Sequence, residues 1–293
     1  MEAKKVLILG GGGMLGHKAY QIFSSKFNTY VTFRDFERYE ATELYRHEDV
    51  LDHVDAFDLP SVKRAIDDIR PDAVLNCIGV IKQLDFAKDH KISIYINALF
   101  PHLVAEVCES VSAKLLHIST DCVFTGEKGD YSEDDLSDAH DLYGRSKYLG
   151  EIANADALTL RTSIIGHELF SNVSLVDWFL TQTGDSVHGF TNAVYTGFPT
   201  VTFALELARV IEQYHHLSGV YQVSSEKISK FQLLQMVRDQ YDVEIEIEPD
   251  AQFRCHRSLD STKFRTATGF NPPTWPEMIA EMHKDYLKTQ YRK

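Results

Sequence analysis

Val6-Leu7-Ile8-Leu9-Gly10-Gly11-Gly12-Gly13-Met14-Leu15-Gly16 is a short apolar run that breaks into glycine and then resumes an apolar pattern. A run this continuous and this short reads as a strand buried on both faces, as in a parallel sheet. Leu15, Ala19, Ile22 and Phe23 then fall at helical spacing. Strand, glycine turn and helix in that order give the glycines at 10, 13 and 16 a chemical meaning. Gly10 serves the tight turn, and Gly13 lets a pyrophosphate reach the open N–H groups of the helix. Gly16 lets helix and sheet close up.

The chain continues in the same rhythm. Tyr30 to Phe33 is a second strand with Arg34 at its exit and Arg38 one turn on. A carboxylate there would hold the ribose of NAD, whereas an arginine would take the 2′-phosphate of NADP. Arg34 precedes Asp35, so NADP(H) is favoured over NAD(H). Val50 to Phe57 holds a third strand ahead of Asp58-Leu59, where Asp58 reads either as an acceptor for the adenine amino group or as a helix N-cap. Ala73 to Gly79 is a fourth buried strand with Asn76 at its carboxyl end. The loop from Val80 to Gln83 follows, and in it Lys82 reads as a diphosphate partner or as an exposed loop lysine.

A helix through Ile94, Ala98, Val104 and Val107 is complicated by Pro101, and Asn97 within it is placed to brace its neighbours. Lys114 to Ser119 is the fifth strand and delivers Ser119-Thr120-Asp121 to its carboxyl edge. Gly126 to His140 is an acidic loop in which Glu133, Asp134 and Asp135 read as solvated rather than as a metal site. Tyr143 and Lys147 lie four apart, on one face of a helix. Moving a tyrosine from about pH 10 to about 7 takes roughly 4 kcal/mol of preference for the phenolate, which an adjacent ammonium helps to supply. Such a tyrosine exchanges a proton with a sugar or alcohol oxygen while hydride moves on the neighbouring carbon.

Ala157 to Thr162 is the sixth strand. Strands and helices alternate to this point, so the expected fold is α/β, a doubly wound parallel sheet of Rossmann type over residues 1–163, with 192–223 returning to it. Residues 164–293 make mainly a smaller, interleaved carboxyl-terminal substrate-binding lobe. In it we expect a short helix at Trp178, irregular loops at 189–192 and 197–200, and a half-buried strand through Val243, Ile245 and Ile247. A closing helix is expected from Trp275.

The balance of 30 Lys+Arg against 43 Asp+Glu gives a formal charge of −13, which argues against nucleic acid or an anionic membrane as partner. No apolar run approaches the roughly 20 residues of a membrane span. The opening residues lack a secretory pattern, and Cys77, Cys108, Cys122 and Cys255 lack metal-type spacing. A reduced, cytoplasmic protein is the expectation. A homodimer is left open.

Five stations in order, Gly10-x-x-Gly13-x-x-Gly16, Asn76-Cys77-Ile78-Gly79, Ser119-Thr120-Asp121-x-Val123-Phe124, Tyr143-Gly144-x-Ser146-Lys147 and Leu160-Arg161-Thr162, resemble the extended short-chain dehydrogenase/reductase family. The closer likeness is to its dTDP-4-dehydrorhamnose reductase branch, and it spans nearly the whole chain. The resemblance implies Tyr143 as proton donor to the sugar C4 oxygen, Lys147 as its partner on the nicotinamide ribose, and Thr120 as a hydrogen-bond donor to the reacting carbonyl. It implies a cofactor held by Gly10, Gly13, Met14, Leu15, Gly16, Arg34, Asp58, Leu59, Asn76, Cys77 and Ile78, together with Tyr143 and Lys147. It further implies a nucleotide-diphosphate sugar against Lys82, Asp121 and Arg257, and no metal. Dehydratases of the family carry Thr-Asp-Glu where this chain has Thr120-Asp121-Cys122, so the base for eliminating water is missing. The stretch Val80-Ile81-Lys82-Gln83 looks more like reductase-like proteins of cell-surface polysaccharide gene sets. The resemblance therefore implies reduction of a 4-keto-6-deoxy sugar nucleotide. Two alternatives remain on the same scaffold: an epimerase that retains NAD, and a non-catalytic cofactor-binding subunit like the beta subunit of methionine adenosyltransferase.

Overall fold

The structure, a computed structural model, describes residues 3–81, 88–154, 157–289 and 291. In chain order it forms β1 (Lys5–Leu9), α1 (Met14–Phe23), β2 (Asn28–Thr32), α2 (Glu37–Glu40), β3 (Val50–Leu51), α3 (Leu59–Ile69) and β4 (Ala73–Asn76). Then come α4 (His90–Ser93), a π-helical turn (Ile94–Leu99), α5 (Phe100–Ser110), β5 (Lys114–Thr120), α6 (Leu142–Leu149) and β6 (Ala157–Thr162). β7 (Ile164–Ile165), α7 (Leu175–Leu180), β8 (Ser186–Tyr195), β9 (Phe198–Pro199), α8 (Thr200–Gln213) and β10 (Gly219–Gln222) follow. The chain closes with β11 (Ile228–Ser229), α9 (Lys230–Tyr241), β12 (Glu246–His256), α10 (Thr262–Thr268) and α11 (Trp275–Thr289).

Seven strands make the main sheet, in the order β10-β6-β5-β4-β1-β2-β3. β1 pairs in parallel with β2 and with β4, Leu7 standing opposite Tyr30 on one side and Val74 on the other. Val6, Leu7, Ile8 and Leu9 are fully buried, which is why this strand is apolar without alternation. Strand order reverses direction between β1 and β4, and the crevice beyond the carboxyl ends at such a reversal is where open α/β sheets take ligands. Cys77 N–H donates to the Leu9 carbonyl at 3.0 Å, holding the two strand ends side by side there.

The chain divides into two compact units, each drawn from three stretches. The first comprises Met1–Ser119, Asp141–Leu160 and Ala204–Val220; the second comprises Thr120–His140, Arg161–Phe203 and Tyr221–Lys293. Within the second, β11, β8 and β12 form a smaller sheet in the order β11-β8-β12. α9 buries Leu233, Leu234 and Val237 and starts on a capping box, Ser229 with Gln232.

Five local expectations need correction. Residues 197–200 are not an irregular loop, since they hold β9, paired with β7, and the first residue of α8. The third strand is only Val50–Leu51; the chain then turns, and Val54 N–H returns to the Phe33 carbonyl at 2.8 Å. Residues 189–192 are not a loop but the middle of the ten-residue β8. A side chain at Gly189 would press on Phe231 and Ile247, so the glycine marks a close approach rather than a turn. The strand expected around Val243 and Ile245 begins only at Glu246 and runs on to His256. The helix across Pro101 is divided by the π-helical turn, with Pro101 in the first turn of α5. Proline has no N–H for the carbonyl four residues earlier, so the helix admits it where that bond is already absent.

Candidate active site

In the first unit the glycine turn meets the end of β4. A Cβ at Gly16 would stand 2.1 Å from the Gly10 carbonyl oxygen, so only glycine lets α1 pack this close to the turn. Gly13 caps α1 without a side-chain bond, and a Cβ there would meet nothing nearer than the Gly10 carbonyl oxygen at 3.7 Å. The first turn of α1 carries no acidic side chain, and its N-terminal N–H groups have no side-chain cap. This cradle fits the pyrophosphate of a dinucleotide. Met14 and Leu15 begin the helix, Leu15 buried beneath it.

The Asn76 side chain lies under this crevice. Its Oδ1 accepts from Ile78 N–H at 3.0 Å and its Nδ2 lies 3.3 Å from His117 Nδ1, so the amide braces the strand ends. His117 is fully buried, and burial, followed by the charge of Lys147, pushes its pKa well below the ordinary value. It is therefore a neutral ring, and Asn76 donates to its Nδ1. Cys77 is likewise kept a neutral thiol, pushed up to about 12 by burial.

Asp141 caps α6 by accepting from Gly144 N–H at 2.8 Å, which sets Tyr143 in the first turn and Lys147 one turn on. Lys147 is 6 % exposed and its Nζ donates to the Ile118 carbonyl of β5 at 2.7 Å. Burial lowers its pKa to about 8, while Glu151 and Cys77 act the other way. Asn97 holds the same region: Oδ1 accepts from Val80 N–H at 2.9 Å, and Nδ2 donates to the Val80 carbonyl at 3.1 Å and to Ser146 Oγ at 3.3 Å. Tyr143 itself is half-buried.

Arg34 is exposed just beyond β2, and the Arg38 guanidinium lies 5.4 Å from the Tyr39 ring centroid. Asp58 sits at the N-cap position of α3 without a side-chain capping bond and reaches Arg64 at 3.7 Å. Leu59 is the first residue of that helix. Lys82 lies outside the described residues.

The second unit holds Thr120, Asp121 and Arg257. Thr120 Oγ1 donates to Asp121 Oδ1 at 3.2 Å and accepts from Cys122 N–H at 3.1 Å, closing a tight turn. Asp121 is 7 % exposed; burial raises its pKa, and Arg257 and then Lys230 act against that rise. Asp121 and Arg257 help to line a cleft of about 630 Å³ whose walls also include Phe190, Phe253 and Trp178. Phe190 and Phe253 pack at 4.9 Å between ring centroids. Lys230 and Tyr195 also line the cleft, and neither stands out in the sequence. The one hint for Lys230 was the Ser229-x-x-Gln232 capping box that starts its helix. Glu133 accepts from Gln222 N–H and Asp135 from Lys128, so two of the three loop acids have partners within the protein.

Comparison with known proteins adds the following. The family model described as RmlD substrate binding domain matches residues 4–288. The spore coat polysaccharide biosynthesis protein SpsK of Bacillus subtilis is 26% identical over 296 residues, 94% of this chain and 96% of its own length. The methionine adenosyltransferase 2 subunit beta of Xenopus laevis is 25% identical over 265 residues, 83% of this chain and 74% of its own. Among solved structures, the dTDP-4-dehydrorhamnose reductase of Bacillus anthracis in complex with NADP superposes with a TM-score of 0.81 at 20% identity, over 97% of this chain and 100% of that one. WbmG of Bordetella bronchiseptica, in complex with NAD and UDP, gives 0.78 at 21% identity, over 97% and 94%. At such identities the structural likeness speaks for the fold.

Proposed function

The chain belongs to the RmlD substrate binding domain family, and on that premise we propose that it is an NADPH-dependent reductase of a nucleotide-diphosphate 4-keto-6-deoxy sugar, serving cell-surface polysaccharide synthesis. The observation that carries the reading is the buried ammonium of Lys147, anchored on the β5 backbone one helical turn after Tyr143. A cation buried there, at some cost, favours the anionic form of a phenol and binds a ribose hydroxyl.

Bound in the Gly10–Gly16 cradle, the reduced nicotinamide supplies hydride. Gly13 and the first turn of α1 hold its pyrophosphate, and Arg34 with Arg38 takes the 2′-phosphate. Tyr143 gives its phenolic proton to the C4 oxygen as that oxygen gains charge, and Lys147 steadies the phenolate left behind. Thr120 turns its hydroxyl from Asp121 to the same oxygen. Cys122, a neutral thiol pushed up to about 12, provides no base for elimination.

The test is NADPH oxidation against dTDP-, UDP- and GDP-linked 4-keto-6-deoxy sugars. We expect stoichiometric oxidation with at least one of them. In Tyr143→Phe, kcat should fall by about 10²-fold or more with NADPH affinity unchanged; an unaltered kcat would remove Tyr143 as donor. The likeness to the methionine adenosyltransferase subunit favours one other outcome, tight NADPH binding with no turnover on any keto sugar. Protein purified with NAD firmly bound, and no net cofactor consumption, would point instead to epimerisation.

A further inference from the structure

The cleft of the second unit has a cation that the fold itself does not use. Of the two basic side chains at its charged end, Arg257 is committed: Nε donates to the Phe124 carbonyl at 2.8 Å and Nη1 to Cys122 Sγ at 3.4 Å. It is a strut beneath the turn that carries Thr120 and Asp121. Lys230 makes no hydrogen bond or ion pair among the described residues, and its Nζ lies 4.0 Å from the Tyr195 ring centroid. It is also the first residue of α9, where the helix dipole presents its positive end and disfavours a cation. Burial disfavours the charge further. A cation held against both effects over an aromatic face is preorganised for an anion from solution.

Resting on the function proposed above, we infer that Lys230, seated on the Tyr195 ring, is the residue that receives the substrate's diphosphate, and that Arg257 positions the Thr120–Asp121 turn instead. Asp121 interacts electrostatically with both Arg257 and Lys230, and the two cations against one carboxylate leave a net positive charge at this part of the cleft, which favours an anionic ligand. The base then lies toward Phe190 and Phe253, whose rings offer stacking surface.

Titration calorimetry with UDP, dTDP and uridine on wild type, Lys230→Met and Lys230→Arg tests this. Lys230→Met should weaken UDP and dTDP by about tenfold or more, leave uridine within about twofold, and leave NADPH affinity and the circular dichroism spectrum unchanged. Lys230→Arg should recover most of the loss. Wild-type affinity for UDP should fall between about pH 7 and 9 as the ammonium deprotonates, and that fall should vanish in Lys230→Arg. The groups facing Lys230 are Asp121 and Cys122 of the turn, Tyr195 of β8, Cys255 of β12, and Arg257 just after it. Cys122 is pushed up to about 12 and Tyr195 well above its ordinary value, so neither titrates in that window, and loss of the fall in Lys230→Arg assigns it to Lys230 rather than to the other facing groups. Equal UDP affinity in Lys230→Met, or an equal loss for uridine, overturns the assignment while the reductase reading stands. Wild type that binds no nucleoside diphosphate overturns both.

Discussion

Lys147 is the clearest case of one residue whose placement the fold must offset. Burial depresses its pKa from 10.5 to about 8, whereas in the unfolded chain it titrates at the ordinary value. Below pH 8 the folded state carries the full cost of the buried charge, of order 3 kcal/mol by linkage. Between about 8 and 10.5 the unfolded chain binds more protons, so the cost is relieved as pH rises. Lys147→Met removes the charge but strands the Ile118 carbonyl, a loss of about 1–3 kcal/mol. Denaturant unfolding of both proteins should therefore show wild type gaining on Lys147→Met from pH 8 to 10; a difference independent of pH would mean the ammonium is not buried. Lys147 was legible in the sequence because its spacing from Tyr143 fixes a shared helix face. Lys230 was not, since a lysine opening a helix after a serine cap reads as surface, and only the tertiary fold sets it over Tyr195. Arg257 was picked out as a ligand; in the fold its Nε and Nη1 donate to the Phe124 carbonyl and to Cys122 Sγ, contacts no spacing in the sequence could show.

At the scale of elements, the first unit's strand–helix alternation could be read because each buried strand is a continuous apolar run and each helix has its own period. β8 escaped the reading because Gly189, Thr191 and Asn192 have turn-like composition, and the reason for the glycine lies in Phe231 and Ile247, distant in sequence. The division of the long helix at Pro101 has a functional consequence. The π-helical turn carries Asn97, whose amide spans Val80 of the loop after β4 and Ser146 of α6. One side chain thereby couples the loop after β4 to the helix of Tyr143 and Lys147. Asn97→Leu keeps the volume but leaves the buried Val80 N–H and carbonyl without partners, a loss of about 2–4 kcal/mol. Activity should fall more steeply than NADPH affinity, because the glycine cradle is untouched while α6 loses its brace. A variant with wild-type melting temperature and kcat would show that the three bonds contribute nothing.

For the molecule as a whole, the decisive property is that neither unit is a contiguous piece of chain. The first is completed by Ala204–Val220, which brings most of α8 and the start of β10, the edge strand beside β6. Ala204, Leu207, Ala208 and Ile211 of α8 are essentially fully buried, and the Lys4 ammonium donates to the Ile211 carbonyl at 2.6 Å. The glycine motif and the Tyr143–Lys147 pair, although all within the first 150 residues, therefore sit in a layer that later sequence must finish. A chain ended at residue 163 would expose the flank of β6 as an open edge and leave the apolar surface under α8 uncovered. It should bind NADPH at least about 100-fold more weakly than the whole protein and lack its near-ultraviolet circular dichroism. Full-length protein cleaved once in the exposed turn between α7 and β8 should retain both, because every element is still present to dock. If the shortened chain bound NADPH as tightly as the whole one, the dinucleotide site would be complete in the first six strands, and the return of the chain through α8 and β10 would serve the sheet alone.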